Sequence, residues 1–181
     1  LDGNNKIEQT TSANDRKDMK VIGNSLPRYN YNFGISADWY GIDFSVLFQG
    51  IGKQNWYPGA ETSMFWGPYS RPYASFIPSD FMSQVWSEEN TDAYFPRPRG
   101  YVALGSNREL AVVNTKYLQN LAYCRLKNLS IGYTLPDKWL SKIGFEKIRV
   151  YFSGENLLTF TKLHSDYIDP EQASAENSIQ S

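Results

Sequence analysis

Hydrophobic and polar residues alternate strictly along residues 29–39, which read YNYNFGISADW. Aromatic and aliphatic side chains occupy the odd positions, and polar or small ones occupy the even positions. A period of two predicts a β-strand with one apolar and one polar face. A second alternating run covers residues 42–50, with Leu47 as its one violation, and only Tyr40-Gly41 separates the two runs. The pattern therefore predicts a β-hairpin at residues 29–50 with a two-residue turn.

Two further strands are expected in residues 121–160. In the first, at 121–135, the apolar alternation changes phase at Lys127-Asn128. Such a change predicts either a β-bulge or a switch of the buried face. The second strand is expected at 147–160, and the residues PDKWLSKIGF between the two can form one helical turn.

The remaining segments, 1–28, 51–120 and 161–181, do not alternate and are expected to be loops. The middle segment is rich in proline and aromatic residues. A loop of that length is uncommon in a compact domain and usually serves a function. Within it, the run IPSDFMSQVW predicts a short helix with Ser79 as its N-cap.

Net charge, cysteine count and hydropathy limit the classes of protein to which this chain can belong. The chain has 181 residues, a net charge of -1 and 15% aromatic residues. The near-neutral charge gives no indication of a nucleic-acid partner, and the single cysteine excludes an intrachain disulfide framework. No apolar run approaches the roughly 20 residues of a transmembrane helix. A membrane barrel stays compatible with a mean hydropathy of -0.51, because its strands place only every second residue on lipid.

The apolar strand faces can lie against lipid or against a protein core. Eleven residues at about 3.3 Å each span roughly 36 Å, and at a tilt of about 45° they rise roughly 25 Å, the height of an outer-membrane apolar band. Aromatic residues also stand near the strand ends, as they do at membrane interfaces; these are Tyr29, Tyr31, Trp39, Tyr40 and Trp139. Strand length favours lipid. The alternative is a secreted, carbohydrate-binding β-sandwich.

Residues 123–162 read YCRLKNLSIGYTLPDKWLSKIGFEKIRVYFSGENLLTFTK, and the acidic motif Asp169-Pro170-Glu171 follows. This region closely resembles the C-terminal part of SusC/RagA-type TonB-dependent outer-membrane receptors. The shared motifs include Leu126-Lys127-Asn128-Leu129, Gly132-Tyr133-Thr134-Leu135-Pro136, Arg149-Val150-Tyr151 and Gly154-Glu155-Asn156-Leu157. Residues 21–34 and 41–57 resemble the hairpin that precedes these strands in the family.

The resemblance implies an all-β fold, an antiparallel up-and-down transmembrane β-barrel of which this chain is a C-terminal fragment. About four strands are expected here, with further strands, the plug and the TonB-contacting N-terminal part outside this chain. The up-and-down order then places Tyr40-Gly41 and 136–146 in the periplasm. Segments 1–28, 51–120 and 161–181 become extracellular loops.

The resemblance also implies a function in the cell outer membrane. The expected activity is TonB-dependent import of oligosaccharides or peptides, with a SusD-like surface lipoprotein closing over the barrel. Lipid and TonB are further expected partners, and no cofactor is expected. The extracellular loops would contact substrate or lipoprotein, with Trp56, Tyr57, Trp66 and Tyr69 as candidates for stacking. For any one of these rings, packing inside the loop is the more common role.

Catalytic and metal chemistry have little support in the sequence. His164 is the one histidine and stands beside Ser165 and Asp166, but a triad needs convergence in space rather than in sequence. One histidine and one cysteine do not make a typical zinc site. The acidic residues Asp166, Asp169 and Glu171 are expected to belong to a solvated loop. No enzymatic activity, catalytic residue or metal site is therefore expected.

Overall fold

The computed structural model describes residues 8, 14–15, 17–70, 77–105, 108–142 and 144–173. Much of the expected N-terminal loop and the end of the expected C-terminal loop lie outside these residues. Four long antiparallel strands form one sheet in the order β1-β2-β5-β6. Their bounds are Arg28–Trp39 for β1, Ile42–Lys53 for β2, Tyr123–Thr134 for β5 and Arg149–Thr161 for β6. The four strands expected from alternation are thus confirmed.

Short elements complete the described chain. A two-stranded ladder pairs β3 (Asn55–Trp56) with β4 (Gln119–Asn120). Helix α1 covers Ser63–Trp66 and helix α2 covers Asp137–Leu140, while 3₁₀ turns cover Gly67–Tyr69, Phe81–Gln84 and Gly100–Leu104. Helix α2 is the helical turn expected between β5 and β6. No helix in the described residues is both long and apolar enough to cross a membrane.

The helix expected around residues 77–86 is shorter than the pattern indicates, and its N-cap prediction is wrong. A 3₁₀ turn begins at Phe81 after Asp80, not after Ser79. The turn ends before Val85, which adopts an extended conformation and bridges to Phe95. Both Phe81 and Val85 are buried, so packing against the rest of the loop decides the backbone here.

The β1–β2 hairpin closes through the two-residue turn that the sequence predicts. Tyr40 and Gly41 have φ angles of 47° and 84°. Positive φ at both central residues defines a type I′ turn, whose twist matches that of the flanking strands. The main-chain N–H of Thr134 donates to the Gly41 carbonyl at 2.7 Å, which ties the end of β5 to this turn.

A β-bulge accounts for the change of phase in β5. Val46 pairs with Leu129 and Phe48 pairs with Leu126, so β5 has one residue more than β2 between these pairs. The extra residue keeps Leu126 and Leu129 on the same face of the sheet. The bulge is therefore confirmed, and the apolar face does not switch.

The apolar face of the four-stranded sheet is largely uncovered. Ile35 is 58% exposed, Phe152 59% and Phe160 63%, and register places all three on the face that also holds Val46. Val46 itself is covered by its neighbours. A β-sandwich needs a second sheet across this face. The other sheet in the described residues is only the two-stranded β3–β4 ladder, so the sandwich interpretation finds no support.

The opposite face is polar and carries an ion pair that spans three strands. Arg149 Nε on β6 donates to Asp43 Oδ1 on β2 at 2.9 Å. The pair crosses β5 at Gly132, where a Cβ would lie 2.5 Å from Asp43 Oδ1 and 2.6 Å from Arg149 Nη2. Glycine at this position therefore leaves the space that the ion pair occupies.

Substitutions at adjacent positions of β1 can test which face meets lipid. In the full-length protein, Ile35→Arg should cost about 2–4 kcal/mol, as expected for a cation on the lipid face near mid-membrane. Ser36→Arg, on the polar face, should cost much less. The free energy of unfolding of both variants, measured in lipid vesicles by denaturant titration, gives the comparison. Equal penalties at 35 and 36 would contradict the assignment of faces.

Candidate functional site

The large cluster of buried hydrophobic residues in the described chain lies in its loops. We use the name loop cluster for the buried residues Phe65, Trp66, Tyr69, Phe81, Val85, Phe95, Ala103, Leu104, Leu110, Tyr117, Leu121, Leu163, Ile168 and Ala173. None of them belongs to the four long strands. Phe95 stands at the centre, with its ring stacked on Phe81 at 4.8 Å and on Tyr117 at 5.9 Å between centroids.

The polar groups of the buried aromatic rings Trp66, Tyr69 and Tyr117 are hydrogen-bonded within the loop. Trp66 Nε1 donates to the Pro58 carbonyl at 3.0 Å, and the Tyr69 hydroxyl donates to the Pro96 carbonyl. The Tyr57 hydroxyl donates to the Leu110 carbonyl at 2.7 Å. Among the described residues, no buried side-chain nitrogen or oxygen lacks a partner. The loop is therefore a packed unit with its own polar network.

Burial raises the pKa of tyrosines in and beside the loop cluster. Desolvation raises the pKa of Tyr117 to about 12 and raises the pKa of Tyr57 and Tyr69 well above the ordinary tyrosine value. The raised pKa values reflect the loss of solvent around these hydroxyls, which are protonated at neutral pH, as an ordinary tyrosine is, and donate hydrogen bonds.

The structure separates the four candidate contact residues into two pairs. Trp66 and Tyr69 are 0% exposed, so their rings cannot stack on a sugar or a partner protein unless the loop cluster opens. Trp56 and Tyr57 are half-buried, pack against the cluster and retain exposed surface. For Trp66 and Tyr69 the packing role is the one that the structure supports. Contact of the loop with substrate stays a prediction.

The residues after β6 join the loop cluster to the polar face of the sheet. We call residues 162–173 the strap. Leu163, Ile168 and Ala173 of the strap are buried in the loop cluster. The main-chain N–H of His164 donates to Gln119 Oε1 at 3.1 Å, and the Ser165 hydroxyl donates to the Met64 carbonyl at 3.2 Å. The strap thus forms part of the loop's packing.

A buried arginine holds the other side of the strap. Arg125 on β5 donates through Nη2 to Asp169 Oδ1 at 2.5 Å and through Nη1 to Glu171 Oε2 at 2.7 Å. Its Nε donates to the Thr159 hydroxyl on β6 at 2.9 Å, and its side chain is only 9% exposed. Burial alone would raise the pKa of Asp169, but the hydrogen bonds from Arg125 and from the Glu171 N–H outweigh it and lower that pKa.

The expectation of a merely solvated acidic loop is wrong for Asp169 and Glu171. Both carboxylates are partly buried and paired with Arg125, because the chain turns back over the sheet after β6. Sequence reasoning also missed the role of Arg125. A signal was present, since Arg125 is a charged residue between Tyr123 and Cys124 on one side and Leu126 on the other, and two acidic residues follow the next strand.

No catalytic or metal-binding arrangement is formed around His164. Its ring stacks on Tyr94 with centroids 3.9 Å apart, and Nε2 lies 2.8 Å from Gln84 Oε1. The Ser165 hydroxyl donates to the Met64 carbonyl and not to the His164 ring, so the pair does not have the geometry of a catalytic triad. Within the described ranges, no group of three or more histidine, cysteine or acidic side chains is close enough to hold a metal ion.

The pKa of His164 makes the loop cluster sensitive to acid. Desolvation lowers this pKa below the ordinary histidine value, although the charge of Asp166 opposes the shift. A histidine with a lowered folded-state pKa stabilises the fold above its unfolded-state pKa, and this contribution is lost as the pH falls through the folded-state value. We expect the loop cluster to lose stability between pH 7.5 and pH 5. The loss of stability is measured as the change in hydrogen-exchange protection factors of amides 58–70 between the two pH values. His164→Gln should show a smaller change in these protection factors. An equal change in the variant would assign the effect to other groups.

Comparisons with known proteins agree with this architecture. A scan against protein-family models finds no match. TonB-dependent receptor P3 of Formosa agariphila is 34% identical over 173 residues, which are 94% of this chain and 15% of the relative. TonB-dependent receptor P26 of the same organism is 28% identical over 156 residues, 85% of this chain and 14% of the relative.

Solved structures show the same fold. The RagAB peptide importer in its open-open state superposes with a TM-score of 0.56 and 24% identity over 91% of this chain and 16% of the solved chain. Its closed-closed state gives the same TM-score at 23% identity. The chain therefore spans about one sixth or less of the proteins it matches. The sequence relatives show that this chain belongs to the TonB-dependent receptors of the outer membrane, and the solved structures show that it shares the fold of part of the RagAB importer.

Proposed function

We propose that the full-length protein imports oligosaccharides or peptides across the outer membrane, and that this chain supplies part of its barrel wall and a substrate-facing loop. The observation that supports this most directly is the arrangement of the sheet. Its apolar face is bare, whereas its polar face carries ion pairs and the strap. The wall of a transmembrane barrel has this arrangement, with apolar residues facing lipid and polar residues facing the lumen.

The two ends of the sheet are assigned to opposite sides of the membrane. One end has the tight Tyr40-Gly41 turn and the α2 connection, and we assign it to the periplasm. The other end leads into the loop cluster and the strap, and we assign it to the cell exterior. Short periplasmic turns and long external loops are the usual asymmetry of such barrels.

The loop cluster is proposed to contact the substrate and a SusD-like lipoprotein. It is folded tightly enough to present a fixed surface. That surface includes the exposed rings and side chains of Tyr101, Val102 and Met82, together with the exposed parts of Trp56 and Tyr57. Trp66 and Tyr69 would support it from inside.

Neighbouring strands are proposed along both edges of this sheet. Among the described residues, β1 and β6 are each paired on one edge only. An unpaired row of backbone groups in lipid costs several kcal/mol for each group. The rest of the barrel, the plug and the contact with TonB are accordingly assigned to the full-length protein outside this chain. The proposed role is transport without catalysis.

A loop replacement in the full-length transporter can test the function. Trp56 and Gln119 are register partners, so a short Gly-Ser linker can replace residues 58–116 and leave the β3–β4 ladder in place. We expect cells with this variant to lose uptake of the substrate class that wild-type cells take up. The receptor should still migrate as a heat-modifiable barrel in gels. Uptake is followed as depletion of a tryptic casein digest and of a starch hydrolysate, which also distinguishes peptides from sugars.

The opposite end of the sheet provides a matched control. The Leu135 N–H donates to the Ile148 carbonyl at 2.9 Å, so the dipeptide Asn-Gly can replace residues 136–147 and close the β5–β6 hairpin. This variant should keep both uptake and heat modifiability. Unchanged uptake after replacement of 58–116 would show that the loop has no part in import.

A further inference from the structure

We propose that Arg125 is a positioning residue that fixes the strap on the polar face of the sheet and thereby sets where the loop cluster stands over the lumen. The inference rests on the proposed import function for its consequence, namely that substrate capture depends on this contact. Its structural part stands on the geometry of Arg125, Asp169 and Glu171 alone.

The guanidinium of Arg125 has little freedom to move. Three of its nitrogens donate hydrogen bonds to Thr159, Asp169 and Glu171, at 2.9, 2.5 and 2.7 Å. The side chain is 9% exposed. A planar, buried guanidinium with charged acceptors on two nitrogens has a defined orientation, which a lysine in its place would not have.

The bulge in β5 adds a second cation to the same contact. Lys127 is the extra residue between the pairs Phe48–Leu126 and Leu47–Asn128. Its Nζ lies 3.1 Å from Glu171 Oε2, so Glu171 binds two cations from one strand. A bulge commonly redirects a side chain in this way. Two cations and two carboxylates balance in charge at this contact.

The strap is packed into the loop cluster, so a strap that is fixed on the sheet also fixes the position of the cluster. Its residues Leu163, Ile168 and Ala173 are buried among the loop's aromatic rings, and His164 stacks on Tyr94. The loop cluster contains no residue of β1, β2, β5 or β6. It is joined to the ends of β2 and β5 by the main-chain hydrogen bond from the Leu121 N–H to the Gln54 carbonyl and by the β3–β4 ladder. The Arg125 contact joins the two by side chains.

Each part is packed without help from the contact. The sheet is held by its hydrogen-bonded register, and the loop cluster is held by its rings and their hydrogen bonds. Loss of Arg125 should therefore release the strap, because Asp169 and Glu171 are partly buried and only Glu171 keeps an ion pair, with Lys127. Leu163, Ile168 and Ala173 should loosen with the strap, whereas the sheet and the cluster residues that precede β5 should remain folded.

Hydrogen exchange in the full-length receptor tests the structural part. In Arg125→Gln, we expect amides of residues 162–173 to exchange at least roughly tenfold faster. Exchange in 58–70 and in β5 should stay close to wild type. The double variant Asp169→Asn/Glu171→Gln should release the strap in the same way, and Arg125→Lys should be intermediate. Unchanged exchange in the strap, or faster exchange throughout the loop cluster and sheet, would overturn the assignment.

Arg149→Gln is the matched control. It removes an arginine from the same polar face of the neighbouring strand and breaks the ion pair with Asp43 at the far end. The strap should exchange as in wild type. The same result in Arg149→Gln as in Arg125→Gln would show a general effect of lost charge and contradict a specific role.

Uptake kinetics test the consequence for import. With the casein digest or the starch hydrolysate as probe, Arg125→Gln should raise the half-saturating concentration at an equal amount of heat-modifiable receptor. Arg149→Gln should not raise it. A released strap with unchanged half-saturation would refute the link to substrate capture. If wild-type cells take up neither probe, the proposed function fails, whereas the exchange experiment still decides the role of Arg125.

Discussion

The described chain is organised around an apolar sheet face that no other part of it covers. Ile35, Phe152 and Phe160 are more than half exposed on that face. In water, such a surface would favour association with other chains, because apolar area is stabilised only when it is removed from solvent. Against hydrocarbon the same surface is already removed from water, so it does not favour association. In the barrel that we propose, lipid on this side explains why the sheet has no protein layer there.

The same constraint decides the contents of the opposite face. Charged and polar groups have no partners in hydrocarbon, so they must lie on the other side of the sheet. Asp43, Arg149 and Arg125 all do so, and each is paired. The strap returns across this face, and the aromatic core of the protein is built in the loops beyond its end. The core and the sheet thus meet at the ends of β2 and β5, through the β3–β4 ladder, and at the polar face, through the strap.

Local patterns predicted the sheet well because strand geometry is a local property. The alternation in residues 29–39, the Tyr-Gly pair at 40–41 and the change of phase at Lys127 each correspond to an observed strand, turn or bulge. The family motifs supplied the order of the strands and the expectation of lipid. In the same way, the PDKW run corresponds to α2.

The loops were less predictable because their structure depends on contacts between distant residues. Trp66 and Tyr69 look like binding residues in sequence, yet both are enclosed by rings from residues far along the chain, such as Phe95 and Tyr117. The acidic residues Asp169 and Glu171 look solvated, but they meet an arginine more than 40 residues earlier. Ser79 is not the N-cap that the sequence predicts, because the 3₁₀ turn begins at Phe81, where Phe81 and Val85 pack into the loop.

Lipid accessibility of adjacent strand positions decides which face of the sheet meets hydrocarbon. Spin labels can be placed singly at 35, 36, 152 and 153 in the full-length receptor after replacement of Cys124, and then reconstituted in bilayers. We expect labels at 35 and 152 to collide with dissolved oxygen, and labels at 36 and 153 to collide with a water-soluble nickel chelate. The same accessibility at 35 and 36, or the opposite order, would contradict the account.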